Sequence, residues 1–131
     1  MSALQLRLVL ETADLDAALA FYRDALGLPE KESWEAEGAD ARIAILDAGG
    51  ATLEIVNEAQ AAAIDEIEVG ARVAGPVRIA FDVGDSDAVA ARLVAAGAEQ
   101  LAEVVVTPWN DRNVRLRAPD GMQLTLFTVV D

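Results

Sequence analysis

The sequence contains no histidine and no cysteine. Without cysteine, the chain has no disulfide, no thiolate nucleophile, no zinc–thiolate site and no iron–sulfur cluster. Without histidine, it lacks the commonest general base at neutral pH and the commonest transition-metal ligand. Any metal would be held by oxygen ligands alone, and such ligands favour magnesium, calcium or manganese over zinc or iron.

Basic residues are also scarce, because nine arginines and Lys31 stand against 23 acidic residues and give a net charge of −13. A surface this negative repels phosphate backbones, so we expect no nucleic-acid partner. Two interpretations of the charge stay open: it supports solubility, or it attracts a cationic small molecule.

Long apolar runs are absent as well, since none approaches the roughly 20 residues of a membrane helix. The segment from Met1 to Arg7 has no basic region followed by an apolar core, so we predict no signal peptide and a cytoplasmic protein. At 131 residues and 53% hydrophobic content, the chain is long enough to bury a core as one domain, residues 1–131.

The residue patterns predict that the chain consists of two similar halves. Residues 4–11 alternate as a strand, Asp14 has the position of an N-cap, and apolar residues at helical spacing continue to Leu26 before Gly27. Phe21 and Tyr22 within this helix are typical of a core. Three strand patterns follow, around residues 28–34, 41–46 and 52–56.

The same order returns in the second half with a strand at 77–83, a helix capped by Asp85 and strands near residues 99–106, 113–117 and 123–129. A constant shift of 71 residues (78 minus 7) aligns Arg7 with Arg78 and Asp14 with Asp85. We therefore predict an α+β fold of two β-α-β-β-β modules. The first module is 1–57, the second is 76–131, and 58–75 is a linker with one or two helical turns.

The motifs resemble the vicinal oxygen chelate superfamily, which includes glyoxalase I, extradiol dioxygenases and bleomycin-resistance proteins. The resemblance is carried by Asp14-Leu15-Asp16 leading to the segment from Phe21 to Leu28, by the strand at 78–83, and by Pro108-Trp109 with Arg117-Ala118-Pro119-Asp120-Gly121. It implies a curled mixed sheet that forms a cup, and a homodimer. The fold carries many activities, so it does not fix the chemistry.

Metal enzymes of this superfamily take histidine or glutamate ligands from the first and last strands of each module. The resemblance places these positions at Arg7, Glu54, Arg78 and Thr125. Strand alternation independently puts the four on the face opposite the apolar residues, and hence inside the cup if the apolar faces pack on the helices. Three interpretations stay open: an ion-paired plug in place of a metal, a pocket that recognises an anion, and metal binding through Glu54.

Two tryptophans and an arginine stripe complete the candidate binding residues. Trp34 and Trp109 either stack on a ligand or close the core. Arg112, Arg115 and Arg117 form a basic stripe on the strand after Trp109, and solvated salt bridges are the favoured interpretation, although Arg115 is also a candidate ligand contact.

The sequence thus favours a metal-free protein, without a cofactor, that sequesters or carries a small organic ligand in the cup. The alternative is a metal-dependent lyase, isomerase or dioxygenase. A metal-free enzyme with Glu54 as base and Arg7 or Arg78 stabilising an oxyanion is chemically possible, although no motif demands it.

Overall fold

The computed structural model of the chain describes residues 3–36 and 40–130. Met1 and Ser2, part of the segment predicted not to be a signal peptide, lie outside the described residues. The described elements follow the chain in the order β-α-β-β-β, helix, β-α-β-β-β-β.

The first module begins with β1 (Ala3–Thr12) and α1 (Leu15–Leu19), which continues as a π-helical segment (Ala20–Ala25). The carboxylate of Asp14 accepts a hydrogen bond of 3.0 Å from the amide of Ala17, so the predicted N-cap is confirmed. Three strands complete the module, namely β2 (Glu30–Glu35), β3 (Arg42–Ala48) and β4 (Ala51–Asn57).

The second module repeats this order with β5 (Val77–Val83) and α3 (Ser86–Ala95). Asp85 caps α3 as Asp14 caps α1, with 3.0 Å between its carboxylate and the amide of Ala88. The predicted strand at 99–106 is split into two short pieces, because only its ends pair with a neighbour. The strands after α3 are β6 (Glu99–Gln100), β7 (Val105–Val106), β8 (Asp111–Arg117) and β9 (Gln123–Val129).

The nine strands form one open mixed sheet in the order β2-β3-β4-β1-β5-β9-β8-β6, with β7 paired to β8. Within each module the first strand pairs in parallel with the last, β1 with β4 and β5 with β9. The modules meet where β1 and β5 pair antiparallel at the centre. The equal strand order on both sides confirms the predicted α+β fold of two repeated modules.

Both module helices pack on one face of the sheet, here called the helical face. One row of paired residues crosses the four central strands on this face. It runs from Leu53 on β4 through Leu8 on β1 and Ile79 on β5 to Leu124 on β9, so the four side chains share the helical face. α1 covers residues of β3 and β4, whereas α3 covers residues of β5, β8 and β9. The opposite face, the cup face, carries Arg7, Glu54, Arg78 and Thr125, as the alternation predicts.

The leucines of β1 are not fully covered by these helices. Leu4 is 71% exposed, and Leu6, Leu8 and the neighbouring Val77 are exposed as well. The expectation that the apolar strand faces pack on the helices is therefore wrong for the start of β1, because α1 packs on β3 and β4 and α3 packs on β5, β8 and β9. Phe21, predicted to be in the core, is likewise exposed.

The predicted linker contains α2 (Glu58–Glu68), an 11-residue helix that is longer than the one or two turns expected. Asn57 caps it by accepting a hydrogen bond from the amide of Gln60. α2 packs on the cup face, where Ala61 joins a cluster with Val9, Ile43 and Val56. In the described parts of the chain, no helix has the length and apolarity needed to cross a bilayer.

Candidate functional site

A cavity of about 410 Å³ opens on the cup face and is bounded by both modules and by α2. About half of its lining residues are apolar or aromatic and the others are polar or charged, so the cavity combines apolar walls with convergent polar groups, as small-molecule sites do. The charged and aromatic residues that line it are Arg7, Glu32, Trp34, Glu54, Glu68, Arg78, Trp109, Asp111 and Phe127.

Strand register brings together Arg7, Glu54, Arg78 and Thr125, the four residues that the family resemblance suggests as ligand positions. Val9 pairs with Glu54 on one side and with Arg78 on the other. Ala80 pairs with Arg7 on one side and with Thr125 on the other. Paired residues of neighbouring strands point to the same face, so Glu54, Arg78, Arg7 and Thr125 all line the cavity.

Arg7 pairs with Glu54 inside the cavity. Nη1 of Arg7 lies 3.4 Å from Oε1 of Glu54, and its Nε donates to Oε1 of Gln5 at 2.9 Å. The guanidinium also lies over the ring of Phe127, 4.4 Å from the ring centroid. This contact agrees with the ion pair that is one of the three interpretations left open by the sequence.

Glu54 is a buried carboxyl, only 8% exposed, and its contact with Arg7 is long for a charge-assisted hydrogen bond. Burial raises the pKa of Glu54, and the charges of Arg7 and Arg78 oppose that rise without cancelling it. Glu54 is therefore a carboxyl that binds a proton more readily than an exposed glutamate does.

Arg78 has a different environment. Its Nη1 donates to Oγ1 of Thr125 at 3.1 Å, and it makes no ion pair within 4.0 Å to any described carboxylate. Burial lowers the pKa of Arg78, while the more distant charges of Glu68 and Glu54 raise it. The guanidinium thus borders the cavity with most of its donors free of protein acceptors.

Arg115 lies beneath the cavity and does not line it. Its side chain is 0% exposed, and it donates to Oε1 of Glu68 at 3.0 Å and to Oδ1 of Asp65 at 2.7 Å. The favoured interpretation of solvated salt bridges is therefore wrong for Arg115, because β8 carries it under α2. It is right for Arg112 and Arg117, which pair with Asp87 and Glu99 at the surface.

Asp65 joins α2 to the rest of the molecule. Its Oδ2 accepts hydrogen bonds from the amides of Val73 and Ala74 and from Arg72, while Oδ1 accepts from Arg115. Burial favours the neutral carboxyl, but these donors outweigh it and hold the pKa of Asp65 at about 2. Asp65 therefore fixes α2 over the cup face as a carboxylate.

Residues of α2 contribute to the site, a contribution that the sequence patterns did not predict. Gln60, Ile64 and Glu68 line the cavity at a spacing of four residues, which places them on one side of the helix. That spacing is the signal in the sequence, but the polar members of the set obscured it.

The two tryptophans line the cavity from opposite modules and are both partly exposed, so neither closes the core. Trp34 lies on β2, and Trp109 precedes β8, where its Nε1 donates to Oδ2 of Asp111 at 3.0 Å. The hydrogen bond to Asp111 fixes the indole N–H edge of Trp109 while the ring faces stay accessible, so Trp109 is suited to contact a flat molecule.

The residues at the four ligand positions do not fit a metal. Arg7 and Arg78 carry fixed positive charges and have no lone pair to donate. The hydroxyl of Thr125 already accepts from Arg78 and donates to Glu68, across 2.7 Å in the latter bond. Among the residues that the structure describes, no three acidic side chains come together as a metal site.

Several solved structures are similar to this chain. A hypothetical protein from Bacillus halodurans C-125 has a TM-score of 0.69 at 17% identity, covering 95% of this chain and 93% of its own. Methylmalonyl-CoA epimerase from Mycobacterium tuberculosis has a TM-score of 0.68 at 22% identity, covering 98% and 90%.

A variant of Streptomyces coelicolor methylmalonyl-CoA epimerase, in complex with 2-nitronate-propionyl-CoA, has a TM-score of 0.66 at 25% identity, covering 99% of this chain and 96% of its own.

None of the curated proteins matches the sequence. The family profile described as Glyoxalase/Bleomycin resistance protein/Dioxygenase superfamily matches residues 5–126, nearly the whole chain. The chain therefore belongs to the glyoxalase/bleomycin resistance protein/dioxygenase superfamily.

Proposed function

We propose that this protein binds a small organic molecule in its cup without a metal, and that it sequesters or carries that molecule. The observation that carries the proposal is the Arg7–Glu54 pair inside a cavity of about 410 Å³, at positions where metal enzymes of the superfamily hold ligands. An ion pair there supplies polar recognition, and the fixed positive charge of the guanidinium repels a cation.

The walls of the cavity support the binding of an organic ligand. Apolar side chains from β3, β4, α2 and β9 remove apolar surface of a ligand from water, at about 25 cal/mol per Å². These side chains are Ile43, Ile45, Val56, Ile64 and Phe127. Trp34 and Trp109 add flat surfaces on which a conjugated group stacks.

The solved Streptomyces coelicolor neighbour, with its bound 2-nitronate-propionyl-CoA, supports the idea that a chain of this fold holds an organic ligand. The alternative function is a metal-dependent lyase, isomerase or dioxygenase. We favour binding because Arg7 and Arg78 do not fit the metal on which that alternative depends.

A thermal-shift screen of small organic molecules tests the proposal, because a ligand that binds the native state raises the melting temperature. We expect shifts that persist in EDTA and that become smaller in Trp34→Ala and Trp109→Ala. Leu26→Ala, at an exposed position outside the cavity, serves as the matched control and should leave the shifts unchanged. Shifts that appear only with an added divalent metal would favour the alternative.

We also propose that two copies of the chain form a homodimer through the exposed apolar stripe, defined as Leu4, Leu6, Leu8 and Val77. β1 and β5 run antiparallel at the centre of a twofold-related sheet, so the stripe is close to symmetric about that centre. A patch of this kind packs against a second copy of itself about a twofold axis, which is the commonest arrangement of soluble oligomers. Burial in a dimer also removes the stripe from water.

A further inference from the structure

Arg78 differs from the other arginines of the cup in its lack of a carboxylate partner. Arg7 pairs with Glu54, and Arg115 pairs with both Asp65 and Glu68. Arg78 donates one hydrogen bond to the hydroxyl of Thr125, and it makes no ion pair with any residue of 3–36 and 40–130. A guanidinium has five N–H donors in a planar fork, so four remain for other acceptors.

The two nearest candidates for a partner are both engaged elsewhere. Glu54 and Arg78 flank Val9 from opposite sides, so two strand spacings, about 10 Å, separate their backbones. Glu68 accepts hydrogen bonds from Arg115, Thr125 and Asn113. The charges of both carboxylates favour the protonated form of Arg78 through space, but neither of them makes an ion pair with its guanidinium.

Desolvating a cation without pairing it is costly, so a partly buried arginine at a cavity wall is a strong site for an anion. The planar fork of a guanidinium matches the two oxygens of a carboxylate in a bidentate pair. Burial also lowers the pKa of Arg78, as the cost of the unpaired charge requires.

Other charges of the cavity limit what kind of anion fits. Glu32 and Asp111 line the more exposed part of the cavity, and Glu54 and Glu68 line its buried part. These four acidic groups repel a dianion such as a phosphate monoester more strongly than a monoanion, and the single guanidinium of Arg78 balances the charge of one carboxylate. The same groups direct a carboxylate towards Arg78 and leave the apolar walls and the tryptophans for the body of the molecule.

We propose that the ligand of the cup is a small organic monocarboxylate, with its carboxylate on the guanidinium of Arg78 and its apolar body between Trp34 and Trp109. This inference rests on the binding function proposed above and names the class of ligand.

The test compares pairs of probes of nearly equal shape, in which the carboxylate is replaced by a neutral primary carboxamide that cannot accept two hydrogen bonds from a guanidinium fork. The carboxylates are phenylacetate, cinnamate, 2-naphthoate and branched aliphatic carboxylates. Phenyl phosphate serves as the dianion and phenethylamine as the cation. Binding is followed by quenching of the tryptophan fluorescence and by the melting temperature. We expect a binding carboxylate to exceed its carboxamide in affinity by about tenfold or more.

Two variants test whether Arg78 causes the preference for carboxylates over carboxamides. In Arg78→Gln the ratio of carboxylate to carboxamide affinity should fall close to one, whereas Arg117→Gln, which alters a surface ion pair, should keep it. The ratio in the wild-type protein decides the matter if Arg78→Gln does not fold. Carboxamides, phenethylamine or phenyl phosphate binding as well as the carboxylates would overturn the ligand class and leave the binding function standing. No binding by any probe would contradict both proposals.

Discussion

The guanidinium of Arg7 lies 3.4 Å from the carboxyl of Glu54 inside the cavity of the cup face. The pair does not fully compensate the burial of the glutamate, because burial still raises the pKa of Glu54. Two effects on Glu54 therefore oppose each other: the ion pair with Arg7 favours the carboxylate, whereas burial favours the protonated carboxyl.

The raised pKa predicts how stability changes with pH. Since the folded-state pKa of Glu54 lies above its unfolded value of 4.5, protonation favours the folded state. The wild-type protein should gain free energy of unfolding relative to Glu54→Gln as the pH falls from 7 through that raised pKa, and the gain should be complete below 4.5. Urea denaturation of both proteins across this range measures it. A relative loss on acidification would mean that the arginines lower the pKa.

The buried cluster of Asp65, Glu68 and Arg115 makes α2 part of the folded core. Asp65→Asn leaves Arg115 without one of its two carboxylates, so we expect a loss of about 3–5 kcal/mol in the free energy of unfolding at pH 7. Asp87→Asn, which breaks the surface pair with Arg112, should cost less than about 1 kcal/mol.

The pKa of Asp65 adds a pH signature to this loss. Because that pKa is lowered from 3.8 to about 2, the stability from Asp65 is present above 3.8 and disappears as the pH falls through 2. The difference between the wild-type protein and Asp65→Asn should therefore shrink in that window. Equal costs for Asp65→Asn and Asp87→Asn at pH 7 would contradict the structural role of the cluster.

The proposed dimer is tested at the exposed apolar stripe. Leu6→Glu places a charge on each copy at the twofold-related surface, and we expect a monomer in light scattering at micromolar concentration where the wild-type protein is a dimer. Val106→Glu, at an exposed apolar position on β7, should leave the dimer intact. A wild-type protein that is monomeric under these conditions would refute the dimer.

Replacement of the two cup arginines by histidine should create a metal site. Arg7 and Arg78 are diagonal neighbours on β1 and β5, and Glu54 lies on the next strand. Arg7→His combined with Arg78→His supplies two imidazoles beside a carboxylate, a set that binds divalent transition metals. We expect a rise in melting temperature with zinc or nickel that EDTA reverses, and no such rise in Arg7→Gln combined with Arg78→Gln. Failure of the histidine variant to bind metal would show that more than the arginines prevents it.

Local patterns predicted the fold well where each residue's role depends on its near neighbours in sequence. Asp14 and Asp85 cap their helices, and strand alternation placed Arg7, Glu54, Arg78 and Thr125 on the cup face. The constant shift between the halves predicted the equal strand order of the two modules.

The features that sequence patterns did not predict depend on long-range contacts. Arg115 has the same alternation as Arg117, and only the path of α2 over the sheet makes one buried and the other exposed. In the same way, Leu4 has the pattern of a core residue, yet the lateral positions of α1 and α3 leave it uncovered. Residues of this kind take their environment from elements distant in sequence, which periodicity does not encode.

The metal content of the purified protein tests the central claim most directly. Elemental analysis by plasma mass spectrometry, after dialysis without chelator, counts zinc, iron, nickel, cobalt and manganese per chain. Two fixed positive charges within a few ångströms of a cation cost several kcal/mol at an intermediate dielectric, so we predict only traces of these metals. Near-stoichiometric metal that survives dialysis would contradict the proposed metal-free cup and restore the metal-dependent enzyme as the better interpretation.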